Sequence, residues 1–258
     1  LVRTREGKKM SKSNPETCID PLDMIKKYGA DALRLSMVIG STPGNDIRLY
    51  EEKIAGYRNF INKIWNAARF ALMQGTGDGR RVKRKQATVN RQTLSLADKW
   101  ILNRTQNIIK EVTGDIENFR FSEAGTKIYD FTWNEYCAWY LEISKGAGQN
   151  LGVLTYVLET IIKLLHPFVP FVTEALWKTL DKKTLLLGEQ WPRVEKKWLY
   201  KKEAAAMAVV IEIITSIRML RQENRIDVGK KIEAVIVSKK WAKLLHENHE
   251  VICRLARL

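Results

Sequence analysis

The residues best suited to chemistry form one pentapeptide near the start of the chain, Lys9-Met10-Ser11-Lys12-Ser13. Two lysines flank small polar residues, so ammonium groups, hydroxyls and backbone N–H groups are offered together. Ammonium groups neutralise charge that builds up on a leaving pyrophosphate, while hydroxyl and backbone donors hold phosphate oxygens. The pattern favours a loop that wraps a triphosphate, and a plain basic surface loop is the alternative.

The other residue types that often do chemistry form no comparable group. His246 and His249 are three residues apart on a predicted helix, a spacing that two metal ligands could use. Because no third ligand lies near them in sequence, a solvent-exposed pair is favoured and no metal site is predicted. Glu135 and Glu142 share a predicted helix face two turns apart, but no neighbouring group indicates acid–base catalysis.

Short helices are predicted directly after the pentapeptide, which therefore lies in a loop. Asp20 is a typical N-cap and Pro21 a typical first helical residue, so a helix begins there. Gly29 is predicted to end this helix, and a second helix covers residues 31–39. Residues 41–45 read Ser-Thr-Pro-Gly-Asn and predict a turn before the next element.

A long amphipathic helix is predicted over residues 51–74. Its apolar side chains recur at helical spacing: Ile54, Tyr57, Ile61, Ile64, Trp65, Ala68 and Leu72. A polar stripe lies opposite: Asn59, Asn62, Lys63, Asn66 and Arg69. The basic run over residues 80–85 follows in a predicted loop, where solvated charge and RNA contact are equally good interpretations.

Helices also dominate the rest of the chain. They are predicted over residues 95–117, 122–145, 150–166, 171–180, 203–224 and 241–257. Residues 231–238 alternate in a way that predicts a mostly buried strand. The fold class is therefore mainly α, a helical bundle with a small α/β segment at the C-terminus. Four tryptophans fall on apolar stripes and are predicted to lie in the core: Trp65, Trp100, Trp133 and Trp177.

The composition points to a polyanionic partner, most often nucleic acid. The 258 residues have a net charge of +15, and residues 1–100 hold 20 basic against 10 acidic side chains. With 45% hydrophobic residues the chain can bury a core, which excludes disorder along its whole length. Three distant cysteines fit a reducing cytoplasm rather than a disulfide framework: Cys18, Cys137 and Cys253. No apolar run is long enough to span a bilayer, and because the first twenty residues are charged and polar we expect no secretory signal.

The pentapeptide and the residues after it resemble a known family. Lys-Met-Ser-Lys-Ser is the second signature of class I aminoacyl-tRNA synthetases, and residues 19–34 resemble the segment after it in the valyl, isoleucyl and leucyl subgroup. Residues 43–49 and 58–70 look like the valyl branch, with the isoleucyl branch as the nearest alternative. Residues 133–142 and 166–177 carry motifs that are shared across the subgroup.

The resemblance implies a role for each residue of the pentapeptide in the complete enzyme. Lys9 and Lys12 are expected to be catalytic, because they would steady the ATP phosphates in the adenylation transition state. Met10 would place the loop near the adenine, while Ser11 and Ser13 would hold the loop or the phosphates. The cofactors implied are ATP with Mg²⁺, and the substrate is valine.

The segment after the pentapeptide departs from the family pattern. The family usually continues with Leu-Gly-Asn, whereas residues 14–18 read Asn-Pro-Glu-Thr-Cys and are one residue longer. Proline stiffens a segment that normally flexes, so loop closure is expected to differ here.

The resemblance also implies that the helical bundle binds the anticodon stem and loop of tRNA(Val). Helical faces with Arg, Lys and Asn grip phosphates, and aromatic side chains stack on splayed bases. The expected tRNA-binding residues are Arg48, Lys63, Arg69 and Phe70, with a core position as the alternative for Phe70. On this basis residues 1–50 hold the signature loop and stem-contact helices, 51–202 the anticodon-binding bundle, and 203–258 a helix and the start of an α/β region.

A second family motif is missing from the sequence. Class I synthetases need His-x-Gly-His near the start of their catalytic domain, and no histidine precedes His166. We therefore expect the chain to be the C-terminal part of a cytoplasmic, monomeric ligase, inactive and without bound ATP when alone. A helical RNA-binding or scaffold module without ligase origin is the alternative from another class.

Overall fold

A small unit of paired strands and short helices precedes a helical bundle. The computed structural model describes residues 1–11, 18–41, 44–73, 89–146, 150–180 and 183–258. Strands β1 (Val2–Arg3) and β2 (Ile47–Arg48) pair in parallel, with Val2 opposite Ile47 and Arg3 opposite Arg48. This pairing brings the start of the chain next to the segment that enters the long helix.

The two short helices begin and end as their sequence predicts. Helix α1 covers Pro21–Tyr28, and the Asp20 carboxylate accepts a hydrogen bond from the Leu22 N–H at 2.7 Å. Helix α2 covers Ala30–Val38. Gly29 joins them with a φ of +88°, a left-handed conformation that glycine adopts without the strain of a Cβ atom.

The bundle that follows is built from long helices, and the mainly α fold class is confirmed. Its helices are α3 (Glu51–Met73), α4 (Leu96–Glu117), α5 (Phe121–Asp130), α6 (Leu141–Ser144), α7 (Leu151–Leu165), α8 (Pro170–Thr179) and α9 (Lys201–Glu223). Ser95 and Asp98 form a capping box at the start of α4, which satisfies two backbone N–H groups. Among the described helices, none is long and apolar enough to cross a membrane.

A π-helical segment, Phe131–Tyr140, joins α5 to α6 without a break. Its buried side chains come in pairs, at 131 and 132, at 136 and 137, and at 140 and 141. The first two pairs are five residues apart, as the wider i→i+5 turn requires. The predicted helix over 122–145 is thus confirmed, with a wider turn in its middle than the prediction assumed.

The core of the bundle holds most of the large aromatic side chains. Trp177, Tyr136, Tyr140, Phe60 and Phe131 are fully buried within one cluster. The tryptophan prediction is confirmed for Trp100 and Trp177. It is wrong for Trp65, which is 37% exposed, because the helix turns that edge of its apolar stripe toward solvent.

The C-terminal segment differs from its prediction. Residues 231–238 form no strand, and no described segment pairs with them. Val235 and Val237 are each 90% exposed, so the predicted burial is wrong. A strand is stable only where a partner satisfies its backbone groups, and alternation alone does not supply one. The predicted helix over 241–257 forms as two, α10 (Ala242–Glu247) and α11 (His249–Ala256).

Burial makes one of the three thiols unreactive. Cys137 lies in the bundle core, and this burial raises the pKa of its thiol to about 12. Cys18 is exposed and Cys253 is half-buried. Since only the thiolate is nucleophilic, we expect iodoacetamide at about pH 8 to alkylate Cys18 and Cys253 but not Cys137 in the folded protein. Intact-mass measurement checks this, with urea-unfolded protein as the fully labelled control; full labelling of the folded chain would contradict it.

Candidate functional site

The pentapeptide begins on a short backbone ladder next to β1. Lys9 forms an antiparallel bridge with Arg3, and the Met10 N–H donates to the Val2 carbonyl at 3.0 Å. The Lys9 side chain is exposed, so its ammonium group is available to an anion. Lys12 and Ser13 lie outside the described residues.

A tight turn connects this ladder to β1. The Thr4 N–H donates to the Lys8 carbonyl at 2.8 Å, and the Gly7 N–H donates to the Thr4 carbonyl at 3.1 Å. Gly7 has a φ of +89°, which the turn requires, and the Arg3 guanidinium donates to its carbonyl at 3.0 Å. We call residues 2–10 the signature hairpin.

The side chain of Met10 anchors the hairpin. It packs, half-buried, on a small apolar cluster that is separate from the main core and contains Ala32, Leu33, Leu49 and Ile54. These residues come from α2, from the segment after β2 and from the start of α3. Met10 therefore fixes the root of the loop, while Ser11 is exposed beyond it.

A basic pocket opens beside the hairpin. This cavity of about 510 Å³ is lined by Arg5, Gly40, Asn45, Asp46, Arg48, Tyr50 and Lys53. Three cations thus face one carboxylate, and the Asp46 carboxylate is already bound by the Arg3 guanidinium. The pocket is suited to an anion because its positive charge exceeds its negative charge.

The cations of the basic pocket differ in how they are held. Lys53 Nζ donates to the carbonyls of Ile39 at 2.9 Å and Arg48 at 3.4 Å, and burial lowers the pKa of its ammonium. Arg5 lies over the Tyr50 ring at 5.5 Å. The Arg48 guanidinium has no hydrogen-bond acceptor within the part of the chain that the structure describes. An anion in the pocket would satisfy that donor.

A second group of cations and aromatics lies along α3. Lys63 Nζ lies 5.2 Å from the Trp133 ring, which stacks on Tyr129 at 5.9 Å. Nearer the end of α3, Phe70 is half-buried and Lys145 Nζ lies 5.8 Å from its ring. The half-buried position of Phe70 leaves part of its ring available to a base. Arg69 is exposed beside it.

The predicted site residues therefore divide into two groups. Arg48 lies on β2, just before α3, while Lys63, Arg69 and Phe70 lie in the second half of α3. Within α3, Lys53 and Phe70 are about 26 Å apart at 1.5 Å per residue. Sequence reasoning missed four neighbours of these residues: Arg5, Lys53, Trp133 and Lys145. Only Trp133 had a sequence signal, since it stands in one of the shared motifs.

The other residues considered for acid–base catalysis or metal binding form no candidate site among the described residues. Glu135 accepts two hydrogen bonds from Arg104, at 2.6 and 2.8 Å, so it holds the π-helical segment to α4. The described residues contain no group of three histidine, cysteine or acidic side chains that could hold a metal ion.

Comparison with protein families decides the assignment. The family model described as the anticodon-binding domain of tRNA ligase matches residues 98–236, which is more than half of the chain. This chain belongs to that family. A second model, for class I tRNA synthetases (I, L, M and V), matches residues 1–50, the part that holds the signature hairpin.

Several relatives of this anticodon-binding chain are valine–tRNA ligases. That of Staphylococcus carnosus is 40% identical over 266 residues, with 98% of this chain and 30% of the relative covered. That of Staphylococcus haemolyticus is 41% identical over 249 residues, with 93% and 28% covered. That of Carboxydothermus hydrogenoformans is 38% identical over 269 residues, with 100% and 30% covered. The chain therefore spans about 30% of the length of these relatives.

A solved structure has the same fold. The ternary complex LeuRS-tRNA-LeuAMS of Agrobacterium radiobacter K84 agnB2 matches with a TM-score of 0.64 over 78% of this chain and 24% of that one. Sequence identity is 24%. The likeness shows that the two chains share a fold over the matched part.

Proposed function

We propose that this chain supplies the ATP-phosphate loop and the tRNA-binding region of a valine–tRNA ligase. The complete enzyme would activate valine with ATP and transfer it to tRNA(Val). The observation that carries the proposal is 38–41% identity to valine–tRNA ligases over nearly the whole chain, pentapeptide included. Residues 1–50 would form the loop and stem-contact part, 51–202 the anticodon-binding bundle, and 203–258 the start of a further region.

In this proposal Lys9 and Lys12 neutralise the ATP phosphates as the pyrophosphate leaves. Ser11 and Ser13 add hydroxyl donors, and Met10 holds the root of the loop in place. The ladder between Arg3 and Lys9 supports this, because it fixes the backbone from which the loop projects. Mg²⁺ would arrive with the ATP phosphates, and this chain alone would bind neither.

The RNA-binding part of the proposal rests on the two groups along α3. The Arg48 guanidinium, which has no acceptor among the described residues, offers charge-assisted hydrogen bonds to a backbone phosphate, with Arg5 and Lys53 beside it. Phe70, with Lys63 and Arg69 on the same helix, offers a stacking surface and cations to the anticodon loop. We expect the protein to act as a monomer in the cytoplasm.

The isoleucyl alternative differs in the tRNA that it requires. In filter binding at one salt concentration, we expect this chain to bind tRNA(Val) more tightly than tRNA(Ile). In a salt titration, we expect the affinity for tRNA(Val) to fall as the salt concentration rises. Equal or tighter binding of tRNA(Ile) would overturn the assignment to valine. An affinity independent of salt would overturn RNA binding by the basic residues.

Arg48 provides the sharpest test of the basic pocket. We expect Arg48→Gln to weaken tRNA(Val) binding about tenfold at low salt and to reduce the slope of log affinity against log salt by about one. The matched control is Arg225→Gln, which removes the same charge from an exposed position outside the pocket. An equal effect of both substitutions would mean that net charge, not the pocket, governs binding.

A further inference from the structure

The N-terminus of α8 is capped by a side chain from a distant helix. Its own N-cap residue, Val169, provides no side-chain hydrogen bond. Instead, the Asp31 carboxylate on α2 accepts from the N–H groups of Phe171 at 3.3 Å and Val172 at 2.7 Å. A carboxylate is favourable there because the first N–H groups of a helix lack partners and carry partial positive charge.

Arg34 holds the other side of the same corner. It lies three residues after Asp31 on one face of α2 and donates to the carbonyls of Pro167 at 3.2 Å and Phe168 at 3.3 Å. Arg34 therefore binds carbonyl groups just before α8, and Asp31 binds N–H groups in the first turn of α8. The α7–α8 corner, which belongs to the anticodon-binding region, is held at both ends by α2.

The same short helix also holds the signature hairpin. Ala32 and Leu33 belong to the small cluster on which Met10 packs. Leu35 of α2 belongs to the main core of the bundle. Helix α2 thus shares contacts with both the root of the pentapeptide and the bundle, as does α3, whose Ile54 belongs to the small cluster and whose Phe60 belongs to the main core.

The ionised Asp31 carboxylate carries a desolvation cost. The residue is 6% exposed, and burial raises the pKa of its carboxyl, although the two backbone N–H groups and the charges of Arg34 and His166 oppose that rise. A raised pKa means that the ionised form is less favourable here than in the unfolded chain. Asparagine caps helices as well as aspartate without burying a charge.

We infer that Asp31, together with Arg34, is a positioning residue that couples the RNA-binding bundle to the signature hairpin. The inference rests on the proposed function, because it assigns to α2 the transmission of tRNA binding on the bundle to the loop that holds the ATP phosphates. RNA bound along α3 would restrain the α7–α8 corner, because α7 and α8 both pack against α3. The hydrogen bonds of Asp31 and Arg34 join the corner to α2, so the motion of α2 is restrained as well. The hairpin is restrained in turn, because Met10 packs on the cluster that contains α2 residues.

Hydrogen exchange of this chain, with and without saturating tRNA(Val), tests the coupling. The reporters are the N–H groups of Gly7 and Met10, which close the hairpin. We expect tRNA to slow their exchange about tenfold in the unsubstituted chain. Asp31→Ala should abolish most of this slowing while tRNA still saturates the protein. Asp31→Asn should restore part of it, because the amide oxygen can still accept from Val172 although the second acceptor oxygen, which binds Phe171, is lost.

The control is Asp23→Ala, which removes an exposed carboxylate of α1 whose described partner is Lys26. It should leave the effect of tRNA unchanged. Arg34→Gln, at an exposed position, gives a second disruption that does not depend on folding of the Asp31→Ala chain. Its expected effect is a partial loss of the slowing.

The outcomes separate the coupling from the proposed function. If the unsubstituted chain binds no tRNA(Val), both are overturned. If it binds tRNA but hairpin exchange does not change, or if Asp31→Ala and Arg34→Gln chains are protected as well as the unsubstituted chain, the coupling is wrong and the function stands.

Discussion

Replacing Lys12 by alanine is expected to slow valine-dependent ATP–pyrophosphate exchange by about 10²- to 10³-fold, and Lys9→Ala by a similar order. The measurement requires a complete enzyme, for which the Staphylococcus carnosus ligase with its matched segment replaced by this chain is suitable. Both ammonium groups are proposed to act where negative charge grows on the leaving pyrophosphate. Interactions that strengthen in the transition state change the maximal rate more than the KM for valine.

Lys8→Ala is the matched control for both substitutions. Lys8 is exposed in the same hairpin, and its contribution to the turn is a backbone carbonyl, which alanine retains. We expect exchange activity within about twofold of the unsubstituted chimera. If Lys9→Ala and Lys12→Ala behave as Lys8→Ala does, the pentapeptide is only a basic surface loop.

Phe60→Ala is expected to lower the free energy of unfolding by about 3–5 kcal/mol. Phe60 is 0% exposed, and its ring lies 4.4 Å from that of Tyr129 and 6.2 Å from that of Trp133. Truncation leaves a cavity between α3 and the π-helical segment, so the Tm should fall by about 6–20 °C. Thermal and urea unfolding followed by circular dichroism measure both quantities.

Phe171→Ala is the control for this cavity. Its side chain is 65% exposed, so the same chemical change should alter stability by less than about 0.5 kcal/mol. Equal destabilisation by the two substitutions would show that Phe60 is not packed as described. A stability loss with Phe60→Ala should also weaken tRNA binding, because Trp133 and the overlying Lys63 depend on this packing.

The helices could be predicted because their signals are local. Asp20 and Pro21 mark the start of α1. The apolar spacing predicted for α3 includes Ile54, Ile64 and Ala68, which the helix buries, although Trp65 is exposed. The Lys-Met-Ser-Lys-Ser resemblance likewise needs only contiguous residues. These features required no knowledge of which segments meet in space.

The basic pocket could not be predicted because it depends on distant pairing. Arg5 and Lys53 become neighbours only when β1 pairs with β2 and Lys53 reaches the Ile39 carbonyl. Contact between Asp31 and the start of α8 joins residues 140 positions apart. No local pattern encodes such partners.

One wrong prediction and one incomplete prediction came from patterns that a local reading cannot resolve. Residues 231–238 alternate as a strand does, but alternation says nothing about whether a partner strand is present. The first two buried pairs of the π-helical segment are five residues apart, a spacing that a search for α-helical periodicity does not recognise. Both depend on what lies beside the chain rather than on its own propensity.

Helix α3 has a further consequence for RNA selection. It continues unbroken from Lys53 to Phe70, so the proposed phosphate site at its start and the proposed stacking site near its end stay about 26 Å apart. For an RNA that binds at both sites, the helix fixes the distance that the RNA must span. An isolated anticodon hairpin too short to span that length reaches one site only, and binds without the gain in affinity that linked contacts provide.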